Sequence, residues 1–148
     1  SGGVHGYLSD QTRVFSVGPL AGEFRDAYQV CRDIQALIVG SLIPGAGCGD
    51  LYAMALKEAT RHGLAANFMG EAPYQVSFIG HGVGLEIDEL PYLARGNPAL
   101  LEVGNVVAIE PKLVFPGRGA VGVENTWLVT ESEPEALTFT SDEIIEVA

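Results

Sequence analysis

Val106-Val107-Ala108-Ile109-Glu110-Pro111-Lys112-Leu113-Val114-Phe115 is an apolar run rich in β-branched residues with a single acid at its middle. Period-two alternation turns Val107 and Ile109 to one face of a strand and leaves Glu110 on the face of Val106 and Ala108. Pro116-Gly117-Arg118-Gly119 closes the run, and a second one, Val121 to Thr130, repeats the pattern with Glu124 directly after Val123. A third strand-like stretch spans Glu135 to Thr138. Upstream of these strands the period changes. Phe24, Ala27, Val30, Cys31, Ile34, Leu37 and Ile38 recur at threes and fours, which predicts a helix from about Glu23 to Val39 with Pro44-Gly45 beyond it. A second helix is expected from Asp50 to His62, with Asp50 near its start and Gly63 as a left-handed stop. Before both helices, Tyr7 to Val17 reads as a strand closed by Gly18-Pro19. Helices followed by grouped strands, without repeated βαβ units, predict an α+β fold rather than a doubly wound sheet.

Composition narrows the function classes. The 148 residues, 47% of them hydrophobic, fit one domain over 1–148, and a domain of this size buries roughly 68–70% of its unfolded surface. A formal charge of −11 with only 8 Lys and Arg disfavours nucleic acid as a partner. No apolar run reaches the roughly 18 residues of a membrane span, and Ser1-Gly2-Gly3-Val4-His5 has no signal-peptide character. Cys31 and Cys48 show no ligand spacing and read as reduced, packed thiols, which predicts a soluble cytoplasmic protein.

The chemistry is expected where acids interrupt apolar strands, because an ionised carboxylate there is costly unless paired or bound to a metal. Glu110, Glu124 and Asp10, the last within Tyr7-Leu8-Ser9-Asp10-Gln11-Thr12-Arg13, all fit that description. Two carboxylates about 4 Å apart repel by roughly 4 kcal/mol at an effective dielectric of 20, so converging acids require a proton or a cation between them. His81, in Gly80-His81-Gly82-Val83-Gly84, adds an imidazole on a segment whose glycines allow close backbone approach and are expected to leave the ring accessible. Histidine with carboxylates suits Zn²⁺, Mn²⁺, Co²⁺ or Fe²⁺. His5 and His62 are expected to stay outside the site, and Trp127 and Phe115 to serve the core or an interface.

These segments resemble the pita-bread metallopeptidases, the group of methionine aminopeptidase, Xaa-Pro aminopeptidase, prolidase and creatinase. The similarity rests on Gly6 to Arg13, Gly80 to Ile87, Ile109-Glu110-Pro111 and Val123-Glu124-Asn125-Thr126, in that order, and covers nearly the whole chain. It implies a truncated pita-bread fold, an antiparallel curved sheet with helices on one face, forming the C-terminal portion of a catalytic domain. It also implies metal ligands Asp10, His81, Glu110 and Glu124, with Asp10 and Glu124 bridging two divalent ions and Glu110 shuttling a proton. The family's first ligand Asp would fall two residues ahead of Ser1, so about one tightly bound ion is expected for this chain.

Other positions depart from the family pattern. Asp88 stands where the peptidases carry a second, substrate-contacting histidine, Ser77 replaces another histidine, and Gly122 and Asn125 replace an arginine and an acid flanking Glu124. The expected activity is removal of an N-terminal residue, or cleavage of an Xaa-Pro dipeptide, by metal-activated water, with peptide as partner and a homodimer as a further expectation. The alternatives are a creatinase-like C–N hydrolase and a non-catalytic pita-bread module that binds peptide or protein.

Overall fold

The computed structural model describes residues 1–148. Strands β1 (Gly2–Val4) and β2 (Tyr7–Ser9) form an antiparallel hairpin, and β3 (Phe15–Val17) follows. Helices α1 (Gly22–Val39) and α2 (Cys48–Arg61) come next, then β4 (Gly80–Gly82), β5 (Val106–Ile109), β6 (Lys112–Phe115), β7 (Gly119–Gly122), β8 (Asn125–Leu128), β9 (Glu135–Ala136) and β10 (Ile145–Val147). β4, β5, β8 and β9 make a four-stranded antiparallel sheet in that order, while β6 pairs with β7 and β3 pairs in parallel with β10. No helix is long and apolar enough to cross a membrane.

The α+β class holds, and each of the three long strands expected from the sequence is broken. Pro111 offers no N–H, so the run from 106 to 115 divides into β5 and β6, which pair with different neighbours. The run from 121 divides likewise at Val123-Glu124, between β7 and β8. Residues 10–14 part β2 from β3, and there Thr12 exchanges main-chain hydrogen bonds with Glu124. The acids therefore lie at junctions where strands change partners, not inside continuous strands.

Helix α1 matches its expected span within a residue, but it ends at Gly40, whose N–H returns to the Ala36 carbonyl, before Pro44-Gly45 is reached. Leu37, expected on the buried face, is 39% exposed. Gln35 takes a place in that face beside Ile34 and Ile38. Helix α2 starts at Cys48, two residues ahead of Asp50, and Gly63 adopts φ +72° as its left-handed stop. The two helices pack with Phe68, Ile79, Leu93, Leu101, Val107, Ile109, Leu113 and Val129 into one apolar cluster. Fully buried side chains such as Ile34 and Ile38 contribute about 1.5–3 kcal/mol each. Cys31 and Cys48 are free and buried within it, and burial pushes the Cys31 thiol up to about 12. Phe115 meets Phe24 edge to face at 5.1 Å, and Trp127 packs against the same cluster.

Candidate metal centre

Register decides which side chains meet. His81 on β4 stands opposite Ala108 on β5, and Ala108 stands opposite Thr126 on β8. Directly opposed residues share a face, and positions two apart along a strand share it too. His81, Glu110 and Glu124 therefore project from one side of the sheet. Ile109 and Asn125, on the other side, face α1. Asp10 is brought to the same place by Thr126, whose hydroxyl accepts from the Asp10 N–H at 2.9 Å and donates to its carbonyl at 2.8 Å.

The glycines around His81 are required by close approach. A Cβ at Gly80 would fall within 3.0 Å of the Ala108 carbonyl oxygen, and one at Gly82 within 3.0 Å of main-chain atoms of Glu89 and Leu90. The same packing closes over the ring: His81 is 5% exposed, so the accessible imidazole expected from its glycine neighbours is instead buried. Its Nδ1 donates to the Gly82 carbonyl at 3.1 Å. Because a carbonyl only accepts, Nδ1 carries a proton, and Nε2 is the ring nitrogen turned towards the acids.

Nε2 faces acids at distances too long for hydrogen bonds. His81 Nε2 lies 3.7 Å from Glu110 Oε1 and 3.8 Å from Glu124 Oε1. Ligand atoms of Asp10, His81 and Glu124 all lie within 4.8 Å of one another. Two ligands each about 2.1 Å from a shared ion stand up to about 4 Å apart, so the donor set suits a divalent cation and a small inward movement of the side chains would close it on one. Glu110 stands at the edge of the trio, with Lys112 Nζ 2.5 Å from its Oε2. Asp88 Oδ1 is 3.8 Å from His81 Nδ1 on the solvent side, and its carboxylate pushes the Tyr92 phenol above its ordinary range.

Electrostatics within the cluster agree with that fit. Burial raises the Glu124 carboxyl above the usual carboxylate range, the Thr12 hydroxyl bond opposes the shift, and the charges of Asp10 and Glu110 add to it. A buried acid among other acids is the arrangement that a bound cation relieves.

Several supporting residues escaped the sequence reading. Thr12 donates to Glu124 Oε2 at 2.6 Å, and its place two residues after Asp10, on the same face, was the available signal. Arg13 donates to the Glu124 carbonyl at 2.8 Å and to Asn125 Oδ1 at 2.7 Å. Gln35 donates to the Ile109 carbonyl and accepts from Asn125 Nδ2, both at 2.9 Å, tying α1 to the residues flanking Glu110 and Glu124. Its spacing from Cys31 and Ile38, which sets a polar group on the apolar face, was the available signal. His5 lies in the β1–β2 turn and His62 is exposed beside Glu58, both away from the cluster.

The profile of metallopeptidase family M24 matches residues 1–131. The chain is 37% identical over 143 residues to the "uncharacterized peptidase YqhT" of Bacillus subtilis, covering 95% of this chain and 38% of that protein. It is 33% identical to an Xaa-Pro dipeptidase of Lactobacillus delbrueckii over 94% of this chain and 36% of the relative. The crystal structure of dipeptidase PepE from Mycobacterium ulcerans superposes with a TM-score of 0.87 at 31% identity, over 97% of this chain and 37% of that one. The chain thus spans less than two fifths of the length of the relatives it matches.

Proposed function

The chain belongs to metallopeptidase family M24 and carries the pita-bread fold, and on that premise we propose that the full-length protein is a metal-dependent aminopeptidase or dipeptidase acting on Xaa-Pro peptides. Asp10, His81 and Glu124 would hold a divalent cation, with Glu110 completing the set. Such an ion, when bound, supplies Lewis-acid charge that activates water and opposes the negative charge developing on the scissile carbonyl.

The remaining work falls to side chains of this chain. Glu110, its side chain 12% exposed, is the general base. Its carboxylate accepts a proton from the attacking water and returns that proton to the amine nitrogen as the peptide C–N bond breaks. The water oxygen ends in the new carboxyl group, whose remaining proton passes to the released amine or to solvent, leaving a carboxylate. His81 holds one edge of the pocket with its tautomer fixed through Gly82. Asp88, 45% exposed on the solvent side of that ring, accepts hydrogen bonds and fits the ammonium of a free peptide N-terminus. An ionised Asp88 donates nothing to an oxyanion, so it plays a binding part where the family's histidine plays a stabilising one. The two free, buried cysteines agree with a cytoplasmic location.

The observation that carries this reading is the meeting of Asp10, His81 and Glu124 from three separate segments. Full-length protein supplied with Mn²⁺ should release proline from Xaa-Pro dipeptides, lose that activity to a chelator, and regain it when Mn²⁺ is restored. Undiminished turnover in metal-free protein would contradict the proposal.

A further inference from the structure

Gln35 is 5% exposed and sits among Cys31, Ile34 and Ile38 on the buried face of α1. A buried primary amide has two N–H donors and a carbonyl to satisfy. Here Nε2 donates to the Ile109 carbonyl at 2.9 Å and reaches the Val123 carbonyl at 3.5 Å, while Oε1 accepts from Asn125 Nδ2 at 2.9 Å. The direction of the amide is set from the far side. Asn125 Oδ1 accepts from Arg13 at 2.7 Å and from the Thr138 hydroxyl at 3.0 Å, which turns Nδ2 of Asn125 towards Gln35 and so turns the Gln35 NH₂ towards the two carbonyls.

Those two carbonyls belong to the peptide planes that end on the nitrogens of Glu110 and Glu124. Both planes lie just outside the strands, at the end of β5 and between β7 and β8. Their N–H groups bond to the Ile79 carbonyl at 2.8 Å and the Thr12 carbonyl at 3.3 Å, so each plane is pinned by the main chain on one edge and by Gln35 on the other. A peptide unit is planar, so fixing both edges fixes its rotation and the direction in which the following side chain leaves.

We propose that Gln35 is a positioning residue for the metal centre: one amide on α1 sets the two peptide planes from which Glu110 and Glu124 project, and with them the aim of both carboxylates. The inference rests on the metal-centre reading and goes beyond it, since it places control of two site glutamates on a helix that contributes no ligand. Without the amide, two buried carbonyls lose their side-chain donor and both planes can rotate. A shift of about 1 Å in a reacting group costs on the order of 100-fold in rate, and loss of a group that orients a ligand weakens metal binding about 10-fold or more.

The test compares full-length protein, unaltered and as Gln35→Met, Gln35→Asn and Cys31→Ala, by calorimetric Mn²⁺ titration, electron paramagnetic resonance of the bound Mn²⁺, and kcat and KM on alanyl-proline. Methionine keeps the length without a donor, and asparagine keeps the amide one methylene short of its partners. Cys31→Ala loosens the same helix face one turn away, where the fully buried thiol reaches only the Val121 carbonyl, and serves as the packing control. Gln35→Met should lower kcat about 10-fold or more with KM little changed, weaken Mn²⁺ binding about 10-fold, and alter the Mn²⁺ spectrum. Cys31→Ala should lower the urea midpoint and leave those three readouts in place. If Gln35→Met does not fold, Gln35→Asn carries the same comparison. Unchanged kcat, affinity and spectrum in the folded Gln35 variants, or equal losses in Cys31→Ala, would overturn the role of Gln35 alone. Failure of the unaltered protein to bind Mn²⁺ would overturn the metal-centre reading and this inference with it.

Discussion

Replacing Glu124 with glutamine should stabilise the metal-free protein while removing its response to metal. Glu124 is 5% exposed, and one of its oxygens lies within 4.8 Å of a ligand oxygen of Asp10. Two unit charges at that distance repel by roughly 3 kcal/mol at an effective dielectric near 20, and Glu110 adds to the repulsion. The Thr12 hydroxyl bond and the His81 ring offset part of it. Glutamine keeps the shape and its carbonyl still accepts from Thr12, so a net gain of about 1–3 kcal/mol is expected at neutral pH. The pH dependence fixes the sign. The folded carboxyl is raised above its unfolded value of 4.5, so the native state binds the proton more tightly and stability falls as pH rises through that window. Urea denaturation in chelator should therefore show little difference between the two proteins below the unfolded value. The glutamine variant should lead by its full margin once the folded carboxyl has ionised. With Mn²⁺ the order should reverse, because only the glutamate protein gains stability from the ion. A glutamine variant no more stable than the parent in chelator at neutral pH, or one that Mn²⁺ stabilises equally, would refute this reasoning.

Other substitutions test the supporting residues. Thr12→Val removes the 2.6 Å donor to Glu124 Oε2 and should weaken Mn²⁺ binding about 10-fold or more in a calorimetric titration, with the fold unchanged by circular dichroism. Gly82→Ala sets a Cβ against main-chain atoms of Glu89 and Leu90, and should cost about 1–3 kcal/mol in urea denaturation and disturb the adjacent His81; a cost under about 0.5 kcal/mol would contradict the packing described. Arg13→Lys cannot reproduce five hydrogen bonds made from one planar fork, so it should lower the denaturation midpoint and metal affinity together.

The parts of this protein that were legible in its sequence were those fixed by local spacing. The α1 repeat set the helix almost to the residue, and Gly63 marked the end of α2 because a left-handed φ there favours glycine. Alternation around Glu110 gave the correct face, since strand parity is a property of neighbouring residues. What spacing could not show was partner exchange. Nothing in Val121 to Thr130 states that β7 pairs with β6 while β8 pairs with β5, and the acids sit at the switch between the two. The burial of His81 escaped for a related reason, because it depends on Leu90 and Ala108, which pack against the gaps its glycine neighbours leave. Lys112 carried no signal of its own in the sequence, because its contact with Glu110 follows from the turn of the chain at Pro111 and its register opposite Gly122.

If side chains of residues 10, 81 and 124 form one cation-binding pocket, an ion must be found between them. A crystal structure of the full-length protein grown with Mn²⁺, with anomalous differences collected at the manganese edge, tests it most directly. An anomalous peak is expected with the His81 imidazole nitrogen and oxygens of Asp10 and Glu124 about 2.0–2.3 Å away. Saturating Mn²⁺ with no ion between those three side chains, or manganese bound only elsewhere, would contradict it.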